Sequence, residues 1–167
     1  MAQSERNVTT QSDWLSYSLS SAQMATDKYR VTFNWEFING SPISKFRDGM
    51  GITHDANTLN ESENALYHYQ TDYFTSSGPV FQDNHPAGVG FAINLNGSDP
   101  ASAGHRGNMS VPLYSSGSAD SGTAYGHFIH SNTPSWFQNI SLGMGVFSIS
   151  GIQSSSEIDA PRIELDW

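Results

Sequence analysis

The chain contains no cysteine. A disulfide scaffold, a thiolate metal site and a cysteine nucleophile are therefore excluded, and folding does not depend on redox state. Positive charge is scarce too. Lys28 and Lys45 are the only lysines, and Lys and Arg together number 7 against 16 acidic residues, for a net charge of −9. Neutralising phosphates needs clustered Lys and Arg. No such cluster exists, so neither nucleic acid nor an anionic membrane surface is an expected partner. Charged residues make up 14% of the chain, well below the quarter or so of an ordinary soluble domain.

Long apolar runs are missing as well. No stretch approaches a transmembrane span, and the opening "MAQSERNVTTQSDW" has no apolar segment of a signal peptide. This leaves the setting open: the protein stays where it is made, is released by lysis to a virion surface or the extracellular space, or has had a leader removed. Catalytic signatures are absent: there is no G-x-S-x-G elbow, H-E-x-x-H pair, P-loop or EF-hand loop. The carboxylates are scattered, with no spacing that suggests a glycosidase pair. No enzyme, catalytic residue or cofactor is expected.

What the chain does have is aromatic side chains, 12% of residues, among abundant Ser, Gly, Thr and Asn. Aromatic content and periodic apolar runs argue against disorder, and the turn-forming residues favour short strands over helices. The clearest strand is "YRVTFNWEF", residues 29–37, where Val31, Phe33, Trp35 and Phe37 alternate with Arg30, Thr32, Asn34 and Glu36. The first set builds a core and the second faces solvent or a neighbour. Asn39-Gly40 then signals a hairpin turn.

Period-two patterns recur along the chain. Tyr67, Tyr69, Thr71 and Tyr73 share one face; so do Val89, Phe91, Ile93 and Leu95; so do Met109, Val111 and Leu113, with Pro112 pointing to an edge or a bulge. Residues 123–130 read as a short strand. Residues 140–150 read as one strand with Gly143 and Gly145 on its small-residue face, and 162–167 as a last strand. Residues 12–25 fit a strand or a short capped helix equally. Residues 1–11 read as an N-terminal arm or a loop, and 47–64 as a long polar loop with one short strand at most. The expectation is a single all-β domain over 1–167, an antiparallel β-sandwich and most simply a jelly roll.

Candidate functional residues are few. Tyr67, Tyr69 and Tyr73 would line one strand face, and Trp136-Phe137 follow Pro134 in a loop beside Asn132. Aromatic faces of this kind stack on sugar rings, with Asn nearby for the hydroxyls, and are equally at home in protein interfaces or over a core. Among the six histidines, His54 with Asp55 and Asp83 with His85 are weak metal candidates, because Asp and His are ligand types but the spacing fits no established motif. His127 and His130, three apart, would point to opposite faces of a strand. The N-x-[ST] sequons at Asn7, Asn39, Asn60, Asn96, Asn108 and Asn139 are read as turn chemistry.

Few surface charges, small-residue faces and no basic arm suit a subunit that packs against copies of itself. The functional expectation is a non-enzymatic assembly or recognition protein, an exterior structural or receptor-binding subunit of a viral or phage particle. A soluble carbohydrate-binding lectin, with a cell-surface glycan as partner, and a β-rich pore-forming toxin are the alternatives.

Overall fold

The computed structural model describes residues 6–11, 15–38, 47–55, 58–73, 75–76, 81–94, 104–115, 122–131, 139–143, 146–150 and 157–166. Their strands, in chain order, are β1 (Arg6–Gln11), β2 (Leu15–Ala25), β3 (Lys28–Phe37), β4 (Arg47–His54), β5 (Thr58–Asn60), β6 (Leu66–Gln70), β7 (Thr75–Ser76), β8 (Phe81–His85), β9 (Gly88–Asn94), β10 (Arg106–Ser115), β11 (Thr123–Ser131), β12 (Asn139–Gly143), β13 (Val146–Ser150) and β14 (Glu157–Asp166). The only helical element among the described residues is one 3-10 turn at Ser62–Asn64. No helix there is long and apolar enough to cross a membrane.

Two antiparallel sheets carry the fold. The first runs β1-β2-β3-β10-β6-β7, with β5 also paired to β10; the second runs β14-β11-β4-β9-β8. This is the antiparallel sandwich that the strand pattern predicts. Its strand order refines the jelly-roll-like expectation. β2-β3-β10-β6 facing β14-β11-β4 is the order of an immunoglobulin constant-type domain, and the β8–β9 hairpin enters between β6 and β10 to widen the second sheet beyond β4.

Period-two alternation explains which side chains meet between the sheets. Leu15, Tyr17 and Leu19 from β2, Val31, Phe33, Trp35 and Phe37 from β3, and Met109, Val111 and Leu113 from β10 are buried on the first sheet. Met50, Ile52, Val89, Phe91, Phe128, Ile163 and Leu165 face them from the second. Each such side chain contributes roughly 1.5–3 kcal/mol when fully buried. Trp35 is central: its ring stacks on Tyr69 at 6.0 Å and 12° and tilts against Phe128 at 4.8 Å.

Several local expectations change. Residues 6–11 are not an arm but a strand in full register with β2, Val8 opposite Leu19. The 47–64 segment holds β4, which lies inside the second sheet between β11 and β9. Segment 140–150 is two strands, β12 and β13, paired with Gly143 opposite Val146. Pro112 sits in the central strand β10 rather than at an edge. It fits because β6 stops opposite Ser110 and β5 starts opposite Leu113, so Pro112 falls in the break between them. Its carbonyl accepts from the Glu61 amide at 3.0 Å, and its nitrogen faces the same gap, where no ladder bond is required. The hairpin turn expected at Asn39-Gly40 lies outside the described residues.

The β12–β13 hairpin forms a third layer. It packs against β4 and β9. Since β4 has a strand on either side and the first sheet beneath it, the hairpin approaches from the outer face. The residues presented there are Gly49, Gly51, Gly90 and Ala92, all buried, and their small size lets a further backbone layer come close.

Candidate functional site

The outer face of the first sheet carries the complement of the core pattern. Register aligns its polar side chains into rows that cross the strands. One row is Thr9, Ser18, Asn34, Asn108 and His68, one residue from each of β1, β2, β3, β10 and β6. The next is Ser16, Glu36, Arg106 and Gln70. Together they line an open depression of about 340 Å³. Tyr17 and Trp35 border it but are buried, with their rings packed in the core.

One end of this groove is fixed by a hydrogen-bonded chain. With its amide nitrogen toward His68, Gln70 donates to His68 Nε2 at 2.8 Å, and its oxygen accepts from Arg106 Nε at 3.1 Å and Nη2 at 2.8 Å. Arg106 Nη1 donates to the Gly104 carbonyl at 2.6 Å and to Asp72 at 3.2 Å. Gly104 makes this possible. Its φ is +71°, and a Cβ there would stand 2.7 Å from Arg106 Nη1, so an L side chain is disfavoured by both backbone and space. Glu36, opposite Arg106 across the ladder, is exposed and makes no ion pair or side-chain hydrogen bond among the described residues.

The aromatic candidates do not line this groove. Tyr67 and Tyr69 are core residues, 8% and 0% exposed. They sit at the inward positions of β6 opposite Met109 and Gly107; Tyr67 meets Phe91 at 5.6 Å, and the Tyr69 hydroxyl bonds His105 Nδ1 at 2.7 Å. The outward positions of β6 belong to Leu66, His68 and Gln70 instead. Tyr73 is 76% exposed, beyond the end of β6. Trp136, Phe137 and Asn132 lie outside the described residues.

The metal candidates are spread over one end of the sandwich. His54 is buried: with the Asn60 amide nitrogen turned toward it, Nε2 accepts at 2.7 Å, which leaves Nδ1 to donate to the Asp55 carbonyl at 3.2 Å. The Asp55 carboxylate accepts from Thr58 Oγ1 at 2.8 Å and the Thr123 amide at 3.1 Å. These bonds occupy the donor atoms a metal would need. His85 is exposed and accepts from the Ala87 amide; the Asp83 side chain lies outside the description. No group of three metal-ligating side chains comes together among the described residues.

Three further histidines pair with side chains inside the protein. His130 Nδ1 lies 2.9 Å from both Asp48 oxygens, with both side chains at 0% exposure. His105 joins Tyr69, and His127 Nε2 lies 2.8 Å from Thr53 Oγ1. As the spacing predicts, His127 and His130 point to opposite faces of β11. Among the described residues, His68 of the groove is bound to Gln70 and Glu36 stands two strands away from it, so these two do not form a nucleophile–base contact.

The fold and this face define the class: an immunoglobulin-like antiparallel sandwich with one polar, cross-strand groove. No protein-family model and no curated protein sequence matches the chain. Solved structures similar to it include the collagen-binding domain of a Staphylococcus aureus adhesin, at 9% identity over 97% of this chain and 95% of that one, with a TM-score of 0.47. The collagen binding domain of Erysipelothrix rhusiopathiae surface protein RspB is similar at 7% identity, covering 92% of this chain and 47% of that one, TM-score 0.47. ACE19, the collagen binding subdomain of Enterococcus faecalis surface protein ACE, is similar at 6% identity, 97% and 94% coverage and a TM-score of 0.44.

Proposed function

We propose that this chain is a non-enzymatic recognition domain that holds an extended polypeptide across the outer face of its first sheet. The observation that carries this is the five-strand row Thr9–Ser18–Asn34–Asn108–His68 beside Ser16–Glu36–Arg106–Gln70. Five strands span about 19 Å, enough for about six extended residues. Asn side chains both donate and accept, so Asn34 and Asn108 match the alternating groups of a peptide backbone. The floor is a hydrogen-bonded ladder and needs little ordering on binding, which favours affinity.

A polypeptide suits this surface better than a sugar. Stacking on a sugar ring needs an exposed aromatic face, and the rings of Tyr17, Trp35, Tyr67 and Tyr69 are all turned into the core. Among the described residues the groove brings no nucleophile and base into hydrogen-bonding contact, which favours a binding role over catalysis. The particle-exterior setting drawn from composition agrees with one acidic subunit meeting its receptor through one face, with copies of itself packed on others.

Filling the groove tests the reading. Ser18→Trp and Asn108→Trp place a large ring on an outward-facing, half-buried strand position lining the groove and should leave the core packing intact. Binding to immobilised collagen, the ligand for which the three similar domains are named, and to synthetic extended peptides should fall at least about tenfold, the effect of losing one well-placed set of contacts. Wild-type binding in both variants overturns the proposal.

A further inference from the structure

Resting on that binding face, we infer that its ligand is a basic polypeptide, and that Glu36 is the residue that receives a Lys or Arg side chain. The argument is one of charge complementarity. Glu36 lies in the groove, is exposed, and has no cationic partner among the described residues. Its cross-strand neighbour Arg106 makes no ion pair with it and bonds Gln70, Gly104 and Asp72 instead. The other described cations on this sheet face are also engaged and distant. Lys28 pairs with Glu61 at 2.9 Å, and Arg30 donates to Ser110 Oγ at 2.9 Å, about 20 Å down the strand from Glu36.

An unpaired carboxylate beside hydrogen-bonding amides attracts a cationic side chain and disfavours an anionic one. The net charge of −9 steers a basic chain toward the molecule as a whole. Inside the groove the charged side chains are Glu36 and Arg106, and of these Arg106 already pairs with Asp72 while Glu36 has no ion pair among the described residues.

The experiment titrates three peptides into nitrogen-15-labelled protein and follows the amides of Asn34 and Asn108 by NMR. Each peptide is six residues of Gly and Ser with one central Lys, Gln or Glu. The Lys peptide should bind about two- to fivefold more tightly than the Gln peptide, the size of an exposed ion pair, and the Glu peptide more weakly than either. Glu36→Gln should abolish the Lys preference. Glu164→Gln, an exposed carboxylate of β14, makes the same change in net charge outside the groove and should preserve it.

Survival of the preference in Glu36→Gln, or its loss in Glu164→Gln, overturns the assignment to Glu36. Equal binding of the Lys and Gln peptides, with shifts still centred on Asn34 and Asn108, overturns the basic ligand and leaves the polypeptide groove standing. Shifts with none of the peptides, or shifts elsewhere, overturn both.

Discussion

At the scale of single residues, the core holds polar groups whose removal should be measurable. Burial, aided by neighbouring Tyr69, pushes the Tyr67 hydroxyl far above its ordinary value of 10.0. The unfolded chain therefore begins to release this proton near pH 10 while the folded chain keeps it. Stability is whole below pH 10 and falls as the pH rises past it, by at most about 1.4 kcal/mol per pH unit for this group. Tyr67→Phe should flatten that decline, and urea midpoints at pH 9, 10 and 11 for the two proteins measure it. Tyr17, also raised by burial, should leave a residual slope. The buried Asp48–His130 pair makes a second case. His130→Phe takes a hydrogen-bond partner from a fully buried carboxyl and should cost about 1–3 kcal/mol, readable as a lower denaturation midpoint; an unchanged midpoint would mean that the pair contributes nothing net.

At the scale of elements, alternation made most of the sheet legible. β3, β6, β9 and β10 were readable because large apolar residues fill every second position, and the inward assignment of Val31, Phe33, Trp35 and Phe37 follows from that alone. The groove face was readable by the same parity, since Asn34 and Glu36 are the outward complement of Phe33 and Trp35; the pattern alone left Tyr67 and Tyr69 open between a ligand face and the core, and they are in the core. β4 was hidden for a physical reason. "RDGMGITH" resembles a turn-rich loop because one face is Gly49 and Gly51, yet those glycines are small for the sake of the β12–β13 layer packed over them. β8 was hidden by Asp83, Asn84 and His85, which suit a short strand at the edge of a sheet. The hairpin layer yields a test. Gly51→Leu overpacks the space between β4 and the hairpin and should destabilise the protein by about 1–3 kcal/mol, with faster proteolysis in 139–150. Ala22→Leu, on an exposed position of β2, should change neither; if both variants behave alike, the hairpin does not depend on the glycine face.

At the scale of the whole molecule, strand order was beyond local pattern, because it depends on pairings far apart in the chain. β3 pairs with β10, Phe33 opposite Met109, and β4 with β11, Met50 opposite Phe128. Each pairing closes a long loop, which costs entropy before any contact repays it and places the chain among domains that refold in milliseconds to seconds rather than microseconds. The same topology makes the sandwich one cooperative unit. β10 sits in the middle of the first sheet and bonds β3, β5 and β6, so no earlier segment can complete that sheet. A chain ended at residue 104 keeps β1 to β9 but leaves Phe33, Trp35 and Tyr69 without Met109 and Val111 beside them and Phe128 above. It should show no cooperative urea transition, whereas the full chain should unfold in one step with coincident far-ultraviolet circular dichroism and tryptophan fluorescence. Separate transitions in the full chain, or a folded fragment, would instead divide 1–167 into two units.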